Sequence, residues 1–178
     1  TPEIDYSKFE KDILKADYMV VNIANYCRNT LAMCKKLYKE VWTDLHDYDD
    51  ENEYHQDFIA AADYLFLSSD NLPNYKAFMK QQIENGKKLV VCTHGKGGAT
   101  AHTKEGKWIE MPIIDTYKMT NANGAGDAFF SGFLYGFSKG YNTKKCMQFG
   151  TVSAGLCIES EMIANNELNR TRIENEYF

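Results

Sequence analysis

Residues 120–140 read TNANGAGDAFFSGFLYGFSKG. A polar, glycine-bearing turn from Asn121 to Gly126 runs straight into an apolar pattern of helical period. Phe129, Phe130, Phe133, Leu134 and Phe137 recur at that spacing, and Gly140 can end the run. Gly132 and Gly136 are poor helix formers, so another backbone is expected to approach them closely. The amides at such a helix start, together with the positive end of the helix dipole, suit a developing negative charge. Gly124 and Gly126 let a ligand approach the backbone with no Cβ in the way. Asp127 falls in the first helical turn, beside that anion site. A carboxylate there is placed to accept a proton from a hydroxyl. The plainer alternative is a loop with two glycines and an acid favoured by the dipole.

Outward from this stretch, the chain of 178 residues suits one domain or a large piece of one. Its 44% hydrophobic and 25% charged residues are ordinary for a globular protein. A net charge of −5 argues against a nucleic-acid surface, which needs clustered Lys and Arg. No apolar run approaches membrane-spanning length and no signal peptide opens the chain. Cys27, Cys34, Cys92, Cys146 and Cys157 are odd in number, scattered and without zinc spacing; reduced thiols in a cytoplasmic protein are expected. Cys92 and Cys157 read as buried and inert. The chain opens on Thr1-Pro2 rather than Met, which fits a processed start or a piece of something longer.

Ahead of the stretch, apolar runs of strand length alternate with helical patterns. Strands are expected at Tyr18–Ile23, Val41–Leu45, Tyr64–Leu67 and Leu89–Thr93. Helices are expected at Ser7–Lys15, Arg28–Lys39 and Leu72–Asn85, the second burying Leu31, Ala32, Cys34, Leu37 and Tyr38, the third closed by Gly86. Strands of this kind, apolar throughout, indicate a mostly parallel sheet covered on both faces, a three-layer α/β/α arrangement of Rossmann-like type. Ala99–Thr103 and Trp108–Met111, split by Glu105-Gly106, read as a hairpin. Asn142-Thr143 caps a further helix from about Lys144 to Ile158, and the polar tail from Asn165 reads as a frayed helix. The whole is read as a single α/β domain over residues 1–178.

Three other stretches carry candidate chemistry. The acidic run from Asp44 to His55 contains His46, Asp47, Asp49 and His55, but their spacing matches no tight metal motif and leaves the metal ligands unknown. Asp44 is better placed, because ligands of open α/β sheets bind beyond the carboxyl ends of strands. Thr93-His-Gly-Lys-Gly-Gly-Ala99 offers a hydroxyl, backbone amides and approachable glycines, suitable chemistry for phosphates. No Lys-Ser/Thr pair follows its glycines, so it is not a Walker A loop, and His94 and Lys96 read as exposed turn residues. A dinucleotide-dependent oxidoreductase has little support, since no G-x-G-x-x-G follows the first strand.

The order of turn, G-A-G-D, A-F and G-F resembles the signature of the ribokinase-like (PfkB-type) carbohydrate kinases, D-T-x-G-A-G-D-A-F-x-x-G-F. Asn121 to Phe129 occupy it and Gly132-Phe133 close it, with Asn121 and Ala122 in place of the leading Asp and Thr. Thr93, Gly95 and Gly98 are in register with the family's T-x-G-x-x-G-A loop. The family's N-x-x-E motif, which helps arrange magnesium and phosphates, falls on Ser68 and Asn71, with Asp70 the nearby acid. Phe149-Gly-Thr-Val-Ser-Ala-Gly155 resembles the small-residue helix that lines the family's adenine pocket, through Gly150, Thr151 and Ser153.

The resemblance implies ATP-dependent phosphorylation of a hydroxyl on a sugar or sugar-like molecule. Asp127 would be the base, and the amides of Gly124, Ala125, Gly126 and Asp127 the anion hole. Thr93, Gly95, Gly98, Asn121, Ser68, Gly150 and Thr151 would bind the nucleotide, and Mg2+ would partner its phosphates. It further implies that the chain is the carboxyl-terminal, nucleotide-binding and catalytic part of such a kinase, an incomplete domain. A missing lid region would be the route to a homodimer. The changes at Ser68, Asn71 and Asn121 admit a second reading, a kinase-like binding protein that no longer transfers phosphate.

Overall fold

The computed structural model describes residues 4–176. Helices α1 (Glu10–Lys15), α2 (Arg28–Lys36), α3 (Gln56–Ala61) and α4 (Tyr75–Glu84) alternate with strands β1 (Met19–Val20), β2 (Val41–Asp44), β3 (Tyr64–Ser68) and β4 (Leu89–Thr93). Strands β5 (Ala99–Thr103) and β6 (Trp108–Met111) follow as the expected hairpin, then α5 (Ala125–Ser138), α6 (Thr143–Ile158) and α7 (Arg170–Asn175). The strand order β1-β2-β3-β4-β5-β6 makes one mixed six-stranded sheet. The chain packs as two compact units: the residues up to Val91 with His102–Lys107, and Cys92–Ala101 with the residues from Trp108 onward.

In the first unit β1, β2 and β3 are parallel, with Met19 paired to Val41 and Trp42 to Tyr64. All four residues of β2 and the first four of β3 are buried, as strands covered on both faces must be. The Trp42–Tyr64 register brings two rings onto one face, where they stack 3.9 Å apart at an interplanar angle of 5°. Leu31 and Cys34 of α2, Phe58 and Ile59 of α3, and Phe78 and Met79 of α4 supply buried side chains.

Several elements differ from the sequence expectation. Strand β1 covers two residues of the six expected, and the chain bends after it. Helix α2 stops at Lys36 because Tyr38 adopts a left-handed backbone, φ 54°, and turns away; Tyr38 is 95% exposed and Ala32 is exposed, so neither joins the buried side. Helix α4 starts at Tyr75, behind Pro73, whose ring disfavours helical backbone at Leu72. Helix α3 had no sequence expectation. Asn52 caps the turn Glu53–His55, which leads straight into it. Its end is held from afar: buried Lys87 donates from Nζ to the carbonyls of Ile59 and, at 2.8 Å, Ala62. Burial pushes the Lys87 amine below its ordinary value, against the pull of the Asp63 charge.

The second unit is built on the contact of α5 with α6. A Cβ added at Gly132 would meet Phe149 O at 2.5 Å, and one at Gly136 would meet Cys146 Cα at 3.1 Å. The close backbone approach expected at these two glycines is therefore present. Phe149, Val152 and Leu156 of α6 form a core with Ile173 of α7, against which Ile114, Tyr117, Tyr135 and Leu168 pack. Asn142 and Asn169 cap α6 and α7 through side-chain oxygens that accept from Lys145 and Arg172 amides. Among the described residues no helix is long and apolar enough to cross a membrane.

Candidate active site

The start of α5 carries the strongest site features. Gly124 takes φ 80° at the N-cap, and no side chain caps the helix there. A Cβ at Gly124 would lie 2.6 Å from the Ile163 carbonyl oxygen, so both the backbone angle and the available space demand glycine. The Ala125 amide is taken by the Ala122 carbonyl at 3.2 Å. The next two amides, Gly126 and Asp127, occupy helix positions that have no intrahelical partner. Gly126 is different from Gly124: an added Cβ there would meet nothing within 4 Å, so the fold itself does not require a glycine. Asp127, in the first turn, is exposed.

Asn121 shapes the turn before the helix. Its Oδ1 accepts from the Asn123 amide at 3.0 Å, and its Nδ2 donates to Glu161 O at 3.4 Å. An aspartate at this position could make the first bond but not the second. The Thr120 and Asn121 amides both donate to Ile158 O, so the end of α6 carries the turn. Beneath it, Cys157 Sγ faces the carbonyls of Asn123 and Ile163. Burial, and secondarily the Asp127 charge, raises the Cys157 thiol above its ordinary value, which makes it a poor nucleophile as the sequence suggested.

The Thr93–Gly98 loop belongs to the same unit. It folds as a single tight turn over Gly95–Gly97, with Gly95 at φ 52° and Gly98 at φ 85°. A Cβ at Gly98 would sit 2.1 Å from Met111 O, whereas one at Gly95 would meet nothing within 4 Å. His94 is not the exposed turn residue expected; it is half-buried, with Nε2 2.8 Å from Thr100 Oγ1. Gly150 and Thr151 lie buried in α6. A Cβ at Gly150 would meet Phe129 O at 2.9 Å, and the Thr151 hydroxyl donates to Met147 O one turn back. Both therefore serve the helix contact and the helix itself.

Ser68 and Asn71 lie in the first unit, at the end of β3. Ser68 Oγ accepts from the Asp70 amide at 3.2 Å, and Asn71 Nδ2 donates to Asp47 O at 3.2 Å. Asp44, 6% exposed at the end of β2, accepts the His46 amide. In the acidic run, Asp49 accepts the amides of Glu51 and Asn52 as a turn cap, and His55 packs against Tyr48. Asp47, Asp49 and His55 enter no cluster of converging ligand atoms among the described residues.

Comparison with known proteins bears on this geometry. The pfkB family carbohydrate kinase profile matches residues 52–169. An acarbose 7(IV)-phosphotransferase from an Actinoplanes species is 34% identical over 122 residues, covering 64% of this chain and 39% of that protein. A nucleoside kinase from Methanocaldococcus jannaschii is 32% identical over 112 residues, covering 63% of this chain and 36% of that protein. Among solved structures, the microbiome-derived acarbose kinase Mak1 superposes with a TM-score of 0.79 at 26% identity, covering 88% of this chain and 54% of that one. Arabidopsis thaliana ribokinase complexed with ribose and ATP shares the fold, with a TM-score of 0.81 at 18% identity, covering 97% of this chain and 59% of that one. The chain thus spans only part of the length of the relatives it matches. The family profile covers more than half of the chain, including the helix start at Gly124 and the loop at Gly95, and on that ground the chain belongs to the pfkB family of carbohydrate kinases.

Proposed function

We propose that the chain is the nucleotide-binding and catalytic part of an ATP-dependent kinase that phosphorylates a hydroxyl on a sugar or sugar-like substrate. The observation that carries this reading is the start of α5. Its amides lack a side-chain cap, Gly126 faces open space, and the exposed carboxylate of Asp127 stands one residue on. The Asp127 carboxylate takes the hydroxyl proton. The hydroxyl oxygen then bonds to the terminal phosphorus of ATP, and the bond from that phosphorus to the ADP oxygen breaks. Of the four amides from Gly124 to Asp127, that of Ala125 is held by the Ala122 carbonyl, and those of Gly126 and Asp127 are best placed to stabilise the charge on the transferring group. Thr93, Gly95 and Gly98 hold the nucleotide, Gly95 offering a backbone open to approach.

Magnesium, when bound, would neutralise phosphate charge. The donors at the end of β3 do not by themselves fit it: the Ser68 hydroxyl is engaged by the Asp70 amide, the Asn71 side-chain amide donates to the Asp47 carbonyl, and neither residue supplies a carboxylate. Asp127→Asn tests the reading. It is expected to keep nucleotide binding while lowering phosphoryl transfer by roughly 10²–10⁴-fold, the usual range for loss of a general base. Near-normal transfer by the variant would remove Asp127 from the chemistry. The engaged state of Ser68 and Asn71 favours a second reading, a binding protein without transfer. Binding of ATP with no transfer to any member of a panel of ketoses, aldoses and nucleosides would select it.

A further inference from the structure

Beside the Thr93–Gly98 loop lies a connected set of polar side chains that the proposed chemistry does not use. His94 Nε2 lies 2.8 Å from Thr100 Oγ1 on β5, and Thr100 Oγ1 donates to Glu110 Oε2 on β6 at 2.5 Å. Thr100 is fully buried. A hydroxyl has one proton to give. Here that proton goes to the carboxylate, so the oxygen can only accept from the imidazole. Nε2 must therefore carry a hydrogen, and in the neutral ring Nδ1 does not; it faces Cys92 Sγ at 3.9 Å.

The backbone of the same residue closes the loop. The His94 amide donates to Gly98 O at 2.8 Å, and the His94 carbonyl accepts from the Gly97 amide at 2.9 Å. A Cβ on Gly97 would come within 3.0 Å of His94 Cβ, so the turn folds directly against this side chain. One residue thus joins both ends of the Gly95–Gly97 turn and, through its ring, ties them to β5 and β6. We propose that His94 is a positioning residue for the nucleotide loop, locked as the Nε2–H tautomer by the Thr100–Glu110 relay, which fixes the loop in its nucleotide-accepting shape. The proposal rests on the assignment of Thr93–Gly98 to the nucleotide.

The test uses the 178-residue chain with ADP and with magnesium–ATP as probes. Imidazole nitrogen spectra of the wild-type chain, at a pH where histidine is neutral, are expected to show protonated Nε2 and bare Nδ1 at His94. Thr100→Val keeps the shape of the side chain but deletes the hydroxyl. It is expected to mix the two tautomers, speed amide exchange at Gly97 and Gly98, and weaken nucleotide binding by about three- to tenfold, the effect of one net hydrogen bond. Thr100→Ser should restore all three. A protonated Nδ1 in the wild-type chain overturns the lock, as does a Thr100→Val chain with unchanged loop exchange. Unchanged nucleotide affinity in Thr100→Val, with the tautomer released, overturns the positioning role. A wild-type chain that binds neither probe overturns the nucleotide assignment and with it the positioning role. The spectra and exchange rates still decide the lock.

Discussion

Two glycines two residues apart in one motif do different jobs, and substitution separates them. At Gly124 an alanine must take φ 80° and collide with the Ile163 carbonyl. Gly124→Ala is expected to destabilise the second unit by at least about 1–2 kcal/mol, the left-handed backbone penalty alone, seen as a lower denaturation midpoint. Gly126→Ala meets nothing, so its stability should stay near wild type. If the open face receives phosphate, the same change should weaken ATP binding, which calorimetry reads directly. The motif in the sequence pointed to both residues, since a conformational need and a ligand's need leave the same letter. It did not distinguish them, because the Ile163 carbonyl comes from a segment about forty residues later with no pattern of its own. His94 was misread for a similar reason: its partners Thr100 and Glu110 sit on strands where alternation speaks of burial and not of hydrogen bonds.

At the scale of elements, the sequence was most legible where the signals were local. Strands β4, β5 and β6 have the boundaries that their apolar runs and turn residues mark, and α6 starts behind its asparagine cap. Helix α3 was not legible, because six residues are too few for a period to show and its end is secured by a lysine 25 residues beyond Ala62. Lys87→Met tests that tether. It keeps the stem in place but leaves the carbonyls of Ile59 and Ala62 without their donor, at a cost of about 1–3 kcal/mol. The expected readout is a lower midpoint in urea, with faster amide exchange concentrated in α3. The position that the sequence resemblance links to magnesium offers another test of the proposed function. Asn71→Glu puts a carboxylate where a neutral amide now stands, and is expected to lower the free magnesium needed for half-maximal transfer. An unchanged titration curve would place the metal elsewhere.

For the molecule as a whole, the cysteines give a probe that needs no ligand. Cys27 is half-buried, while Cys34, Cys92, Cys146 and Cys157 are buried. Under native conditions iodoacetamide should label Cys27 first, and a mass spectrum showing early label on Cys146 would contradict the packing of α6. Burial pushes the Cys146 thiol from 9.0 up to about 12. The unfolded chain then releases this proton at lower pH than the folded chain does. The stabilising effect is whole below about pH 9 and is lost as pH rises toward about 12. Cys146→Ala should therefore lose less stability than wild type over that window, measured by urea unfolding at each pH.

The glycine seam between α5 and α6 also bears on the order in which the chain folds. The two helices are joined by only Lys139–Asn142, so the contact of Gly136 with Cys146 closes a short loop and the later ones extend it step by step. Gly132 and Gly136 bring the two backbones together with few side-chain rotamers to arrange between them. Low contact order of this kind favours early formation. The helical hairpin that carries Asp127 is thus suited to form early, as is the equally local β5–β6 hairpin.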